Sequence, residues 1–384
     1  MNLPTEPGPP YRLVTSSQEL AQIVPSLMKE KVIAVDVEAD SMFHFTEKVC
    51  LLQIATVSQC LIIDPLAAVD LFLLKPLFLA PEITKIFHGA SYDVRCLGMC
   101  CDITINNLFD TEIACRFLGI GESGLNAVVQ QTFQVALDKK YQKKDWSRRP
   151  LPAEMLEYAA RDVHYLIPLR AILAERLAQM RRASWVEEEC RMISIVRCLP
   201  ENGQPLFLKV KGAGRLDRHG LAILENLLQK RMDIARKKDL PPFKIIGNTA
   251  LIRLAEEKPA SRNALKQSRI LSDKQVSMYA EPICLAIREA LEKKEDDLPV
   301  YPREKHKPLS RKATLRVDAL KQWREATAAR LAMDPGLILP NALAIGIARE
   351  NPRSLEQLDR VGEMKEWRKK EFGEEIVRVL SEIK

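Results

Sequence analysis

The hydrophobic pattern changes its period near residue 150. Before that point short apolar runs recur at 31–37 (KVIAVDV), 50–56 (CLLQIAT), 59–65 (QCLIIDP) and 85–89 (KIFHG). Runs of this length, rich in β-branched residues, read as buried strands, and the second and third are close enough to pair as a meander. Residues 69–79 have helical spacing. SYDVRCLGMC (91–100) and TEIACRFLG (111–119), the second ending in Gly, read as helices, with a strand-like ITINNLFD (103–110) between them. Strands followed by alternating strand and helix predict a mixed sheet with helices packed on it, an α/β layer. After Trp146 the strand signals fade. Pro152 opens a long helical pattern, PAEMLEYAARDVHYL, as proline does in a first turn, and Pro168 is expected to kink or divide it. From about residue 176 the pattern is helical.

Two seams interrupt the helical part. Residues 199–214 carry Pro and Gly, and residues 293–312 carry three Pro within dense charge, so both are expected to be linkers. The stretches beyond them repeat. IRLAEEKPASRNAL (252–265) aligns with IGIARENPRSLEQL (345–358) at a shift of 93, matching Ile252 to Ile345, Ala255 to Ala348, Glu257 to Glu350, Pro259 to Pro352, Ser261 to Ser354 and Leu265 to Leu358. A shared period of this length predicts two copies of one small helical domain.

Charge sharpens this division. Residues 1–175 hold 16 basic and 21 acidic residues, net −5, whereas the remainder holds 42 basic and 30 acidic, net +12. An acidic front and a basic back suggest a site that gathers cations beside a surface that attracts polyanions. The apolar fraction of 47% excludes a wholly disordered or fibrous chain. No apolar run approaches the length of a membrane span, and no secretory signal is visible at the start, so a cytoplasmic, non-membrane protein is expected. The nine cysteines form no C-x-x-C pair. Free thiols in a reducing compartment are the expectation, rather than a zinc site or a disulfide framework.

The candidate chemistry lies in the acidic part. Asp36-x-Glu38 ends the first apolar strand, where alternate residues share a face, so both carboxylates converge. Two like charges this close repel unless a cation holds them. Asp93, in FHGASYDVRCL, falls in the first turn of a helix. Tyr158 and Asp162 lie four apart in EYAARDVHYL, on one helical face. Four hard oxygen donors suit two divalent ions, Mg²⁺ or Mn²⁺, which clamp the attacking and leaving oxygens of a phosphoryl displacement. A phenol beside such a carboxylate can orient or deprotonate a water. No P-loop, G-x-S-x-G or H-E-x-x-H motif is present. Weaker candidates for substrate contact are His88 ahead of the Asp93 helix, Phe43 and Phe45 as base-stacking rings, and Lys144, Arg148 and Arg149 in a basic run around Trp146. Gln53 and Asp64 are expected to be structural, and Asp110 to cap the helix that follows it. In the first repeat Arg231, Arg236, Lys237 and Lys238 are candidates for phosphate contacts.

Asp36-x-Glu38, HGASYD ending at Asp93, Tyr158-x-x-x-Asp162, and the runs LIIDPL, LFDTEIACRFL and KKDWSRRPL resemble the tyrosine-bearing branch of the DEDD exonuclease superfamily. Within it the chain is similar to the bacterial ribonuclease D family, whose two C-terminal HRDC domains the repeats resemble. The resemblance implies a ribonuclease-H-like exonuclease fold over 1–198 with trailing helices, a linker over 199–214, HRDC-like helical domains over 215–295 and 313–384, and a second linker over 296–312. It implies 3′–5′ exonucleolysis of RNA, such as transfer RNA precursors, by a monomer. Asp36, Glu38, Asp93 and Asp162 would hold two metal ions and Tyr158 would position the water. The same chemistry on DNA, or an inactive RNA-binding protein, are the rival readings. Val37 departs from the family's usual Thr, and DSMFHFTEK (40–48) differs in detail from the relatives.

Overall fold

The computed structural model describes residues 10–195, 203–302 and 308–383. Six strands, β1 (Arg12–Val14), β2 (Val32–Ala39), β3 (Val49–Ala55), β4 (Cys60–Ile63), β5 (Thr84–Phe87) and β6 (Leu108–Asp110), form one mixed sheet in the order β1-β4-β3-β2-β5-β6. β2, β3 and β4 make the antiparallel meander, while β5 and β6 run parallel to β2, and β1 runs parallel to β4. Every residue of β3 and β4 is buried, because helices cover both faces and no position is left for polar alternation. The helices of this part are α1 (Ser17–Leu27), α2 (Lys75–Leu79), α3 (Ser91–Cys101), α4 (Thr111–Phe117), α5 (Leu125–Phe133), α6 (Ala153–His164), α7 (Leu166–Gln179) and α8 (Ala183–Ser194).

The α/β expectation holds, with local differences. β1 and α1 precede the first expected strand. The expected helix over 69–79 is a 3-10 turn followed by the short α2. Of ITINNLFD only Leu108–Asp110 is strand, since Asn107 is left-handed at φ 54° and breaks the extended run. The long helix divides at Tyr165, ahead of Pro168. The proline sits in the first turn of α7, where its missing N–H costs nothing.

The C-terminal part is helical and duplicated. α9 (Arg218–Lys238), α10 (Pro242–Ile245), α11 (Asn248–Glu257), α12 (Arg262–Ser268) and α13 (Asp273–Leu291) are followed by α14 (Arg311–Leu331), α15 (Pro335–Ile338), α16 (Asn341–Glu350), α17 (Leu355–Leu358) and α18 (Glu366–Ser381). Each helix of the second set starts 93 residues after its counterpart, the shift read from the sequence. Equivalent arginines do equivalent work. Arg231 Nη1 donates to Ile246 O at 3.0 Å and Asn248 Oδ1 at 2.7 Å, and Arg324 Nη1 donates to Leu339 O at 3.0 Å and Asn341 Oδ1 at 2.8 Å. Arg231 is therefore engaged inside its own module.

The expected linkers contain packed structure. Leu206–Lys209 and Ala213–Arg215 are 3-10 turns whose Phe207, Val210 and Ala213 are buried in the core of the first module. Beyond α13, Leu298 is buried and Tyr301 packs on Phe207, with ring centroids 6.1 Å apart. The remaining parts of these seams, 199–202 and 303–307, lie outside the described residues.

The described residues divide into two compact units. The first joins the chain up to Ala39, the stretch from Val49 through α8, and α14–α18. Trp367 of α18 stacks on Trp185 of α8 at 4.9 Å and meets Phe117 edge-on at 5.3 Å. Its indole N–H donates to Glu189 at 3.0 Å. Arg182 donates to Phe117 O at 2.7 Å and Leu331 O at 2.9 Å, tying the ends of α4 and α14 together. Gly119 is required at this seam: its φ is +76°, and a Cβ there would lie 2.0 Å from Ala332 O.

The second unit joins Asp40–Lys48 to α9–α13. Asp239, left-handed at the end of α9, accepts from His44 Nδ1 at 2.6 Å and from Phe45 N at 3.1 Å. The segment following β2 thus packs with the first helical module.

Candidate active site

The site is built where β2 meets α6. On β2 the alternation sends Ala34, Asp36 and Glu38 to one face, and Ala34 shares its core layer with Met155, Ala159 and Val163 of α6. Val35 and Val37 face the opposite layer, so Val37 stands behind the acidic pair. One carboxylate oxygen from each of Asp36, Glu38 and Asp162 lies within 4.8 Å of the other two. Asp93, buried in the first turn of α3, acts on both Asp36 and Glu38 electrostatically. A register shift between Glu38 and Ala39 ends the regular pairing with β3 just beyond the pair.

The electrostatics record the crowding. Burial pushes the Asp36 carboxyl up to about 7, against the backbone N–H of Val37, which pulls it down. Burial raises Glu38 well above the usual range, and the charges of Asp36, Asp162 and Asp93 add to it. Asp93 and Asp162 are raised in the same way, by burial and then by Asp36. Asp36 is common to all of these interactions. Such a cluster fits a divalent cation by donor chemistry and by charge. Gln53 strengthens the fit. It pairs with Asp36 across β2 and β3, so the two side chains share a face, and it is fully buried with neither amide atom hydrogen-bonded among the described residues.

Tyr158 is one helical turn before Asp162 and hydrogen-bonds to it. Burial, followed by the charges of Asp162 and Glu38, raises its phenol, which therefore stays protonated at neutral pH. The ring is held by Trp146 at 6.1 Å and by Tyr141 at 5.8 Å, edge-on. Beside it opens a cleft of about 220 Å³ whose lining includes Tyr141, the bases Lys140 and Arg161, and the acids Asp138, Glu154, Glu157 and Asp162. Tyr141 and Arg161 were missed in the sequence. The aromatic within the basic run, and the Arg directly before Asp162, were the available signals.

The basic run divides by role. Arg149 is committed internally: it donates two bonds to Asp64 at 2.7 Å each and further bonds to Cys50 O and Trp146 O. Its partner Asp64 is buried, which makes that pair structural. Lys144 and Arg148 are exposed, and Arg148 meets Asp145 at 3.2 Å. His88 packs beneath the start of α3, its Nδ1 2.9 Å from Thr111 Oγ1, and burial lowers its imidazole. Phe43 and Phe45 belong to the second unit. Lys244 lies 4.4 Å over the Phe43 ring and Arg236 5.2 Å over the Phe45 ring, which also packs on the module's core.

A carboxylate cluster on a mixed sheet, a phenol on the facing helix, and two appended helical copies define the class of 3′–5′ exonucleases with HRDC domains. Residues 11–178 match the 3′–5′ exonuclease family, and residues 220–287 and 314–380 each match the HRDC domain. Ribonuclease D of Sphingobium indicum is 32% identical over 265 residues, covering 68% of each chain. Ribonuclease D of Bartonella henselae is 28% identical over 378 residues, 96% of this chain and 90% of its own. The crystal structure of Escherichia coli RNase D, an exoribonuclease involved in structured RNA processing, shares the fold. Its TM-score is 0.75 over 97% of this chain and 99% of its own, at 23% identity. The chain belongs to the ribonuclease D family and is a 3′–5′ exoribonuclease. No described helix is long and apolar enough to cross a membrane.

Proposed function

We propose that the enzyme releases nucleoside 5′-monophosphates from RNA 3′ ends with two divalent ions, Mg²⁺ or Mn²⁺, held by Asp36, Glu38, Asp93 and Asp162. Its substrates are transfer RNA precursors or other structured RNAs with a free 3′ tail. The observation that carries this reading is the convergence of Asp36, Glu38 and Asp162 within 4.8 Å beside Tyr158. Bound ions supply positive charge to the scissile phosphate and acidify the attacking water. The protonated Tyr158 hydroxyl, braced by Trp146 and Tyr141, orients that water rather than deprotonating it. Lys140 and Arg161 are the two basic groups in the neighbouring cleft, set among the acids Asp138, Glu154, Glu157 and Asp162, and they supply local phosphate contacts for an entering strand rather than a positive field. The net +12 beyond residue 175 supports a polyanionic substrate, and the activity of the Escherichia coli relative on structured RNA supports its class. Free thiols at Cys60, Cys115 and Cys190 suit a reducing cytosol, and a carboxylate cluster drawn from one chain suits a monomer.

The test uses 5′-labelled RNA and DNA of matched sequence, and a precursor transfer RNA with a 3′ extension, with Mn²⁺ or Mg²⁺. The expected result is a ladder shortening from the RNA 3′ end, ending near the mature terminus of the precursor, and absent in Asp162→Asn. Equal shortening of RNA and DNA, or an active Asp162→Asn, would overturn the reading.

A further inference from the structure

The helix that carries Asp93 has no cap of its own. Ala90, at the N-cap of α3, is already helical and its side chain makes no bond. The free amides at this end are met from the neighbouring strand. Asp110, at the end of β6, accepts from Gly89 N through Oδ1 at 3.0 Å and from Ala90 N through Oδ2 at 2.7 Å. The same carboxylate caps α4, with Oδ1 also accepting from Glu112 N at 2.8 Å and Ile113 N at 3.3 Å. Four backbone donors therefore converge on a side chain that is 1% exposed. Thr111 extends the grip. Its hydroxyl donates to Phe87 O at 3.0 Å and also meets His88 Nδ1. Each residue from Phe87 to Ala90 is thus held by the Asp110–Thr111 pair. The turn has little slack, because Gly89 has φ +73°, a conformation that L side chains rarely adopt. From behind, Cys190 Sγ of α8 accepts from Asp110 N at 3.3 Å.

Asp93 lies three residues past Ala90, in the first turn of α3. A first turn follows the amides that start it, so whatever fixes Gly89 and Ala90 fixes the Asp93 carboxylate relative to Asp36. We propose that Asp110 is a positioning residue for the hydrolysis, setting Asp93 in the metal-binding cluster through the amides of Gly89 and Ala90. This rests on the reading of Asp93 as a metal ligand. A cap of α4 alone would need only the bonds to Glu112 and Ile113; the bonds to Gly89 and Ala90 serve a different helix.

Asp110→Asn separates the two roles. The amide oxygen can keep the three bonds made by Oδ1, so α4 stays capped. The NH₂ group then faces the Ala90 N–H, and donor opposes donor. The readouts are the Mn²⁺-dependent rise in melting temperature, titrated from a chelated start, and kcat and KM on 5′-labelled RNA. The Mn²⁺ midpoint is expected to rise about tenfold, as for groups that orient metal ligands. At limiting Mn²⁺, kcat should fall by a similar factor while KM for RNA stays within about twofold. Ser310→Ala, which removes the cap bond to Ala313 N at 3.2 Å, is the comparison for a purely structural loss. If Asp110→Asn binds Mn²⁺ and turns over as Ser310→Ala does, the positioning role is overturned and the metal reading stands. If the wild type shows no Mn²⁺-dependent rise, the metal reading falls and the proposal with it. Because the Asp110 charge also bears on Asp93, Thr111→Val, which leaves every charge in place, is measured beside it on the same turn: a severalfold higher midpoint is expected, and an unchanged one would assign the Asp110→Asn effect to lost charge and overturn the proposal.

Discussion

Replacing Asp36 with Asn is expected to stabilise the metal-free enzyme while abolishing its activity. Asp36 is lifted from 3.8 to about 7 in the fold. At about 1.4 kcal/mol per pH unit, ionising it costs the folded chain on the order of 4 kcal/mol more than the unfolded one. The sign follows from the direction. A raised carboxyl is held protonated by the fold, so its contribution is complete below pH 4 and is lost as pH climbs through 7. Above pH 7 the metal-free wild type bears the whole penalty, and Asp36 also pushes against Glu38, Asp93 and Asp162. The Asn variant avoids the charge but still buries a polar amide at about 1–3 kcal/mol, which leaves a net gain of about 1–3 kcal/mol. At about 2–4 °C per kcal/mol, melting in EDTA at pH 8 should rise by about 2–12 °C. At pH 5 the gain should be smaller, because most of the wild-type protein still carries the proton. Added Mn²⁺ should raise the wild type and leave the variant unmoved. Calorimetry of both proteins at the two pH values, with and without metal, makes the check. A variant that melts at or below the wild type at pH 8, or whose gain is equal at both pH values, would refute the reasoning.

Other perturbations follow from the same structure. Gln53→Leu removes a buried amide with no hydrogen-bond partner among the described residues, so melting in EDTA should hold or rise slightly while kcat falls; matched melts and kinetics decide. Arg149→Ala strands the buried Asp64 and should cost about 3–5 kcal/mol in denaturant unfolding, and Arg149→Lys should recover only part of it, lacking the paired geometry. Arg148→Ala, by contrast, should change stability by less than about 0.5 kcal/mol. Trp367→Ala opens a cavity between α8 and α18 and should cost about 3–5 kcal/mol, with exonuclease activity lost in parallel on heating; an unchanged melting curve would show that this seam does not stabilise the catalytic unit.

What the sequence disclosed is what short-range periodicity encodes. Asp36 and Glu38 two apart on a strand, and Tyr158 and Asp162 four apart on a helix, declare a shared face without any knowledge of the fold. The meander and the doubled helical module were legible for the same reason, the latter to the residue at a shift of 93. The hidden features rest on contacts between distant segments. Arg149 reads as a substrate-contact candidate in a basic run, and only the sheet brings it to Asp64, 85 residues earlier. Asp110 reads as a helix cap, which it is; its second helix begins 20 residues upstream and becomes visible only once β5 and β6 pair. Phe207 and Tyr301 sat in proline- and glycine-bearing seams, where breaker residues masked a packed pair. Phe43 and Phe45 looked like base-stacking candidates because nothing local reveals that Lys244 and Arg236 cover them.

The two helical copies show how a duplicated module takes on different tasks. Positions that fold the module are kept: Arg231 and Arg324 bind the same carbonyl and the same Asn, and both long helices end on a left-handed residue, Asp239 and Ala332. Positions at that helix end have diverged in chemistry. The first copy has Arg236, Asp239 and Lys244, which grip the segment Asp40–Lys48 through an ion pair and two ring contacts. The second has Ala329, Ala332 and Leu337, and its Ala332 carbonyl closes directly on Gly119. A charged side chain tolerates a wet, adjustable contact, whereas a bare backbone meeting a glycine permits close packing. The same end of the same helix thus became a polar clasp in one copy and a backbone-to-backbone contact in the other. The sequences differ accordingly: net +5 over 220–287 against +1 over 314–380. The basic excess of the C-terminal part lies more in the copy that is not built into the catalytic unit, so charge substitutions there should alter RNA binding more than the stability of the exonuclease core.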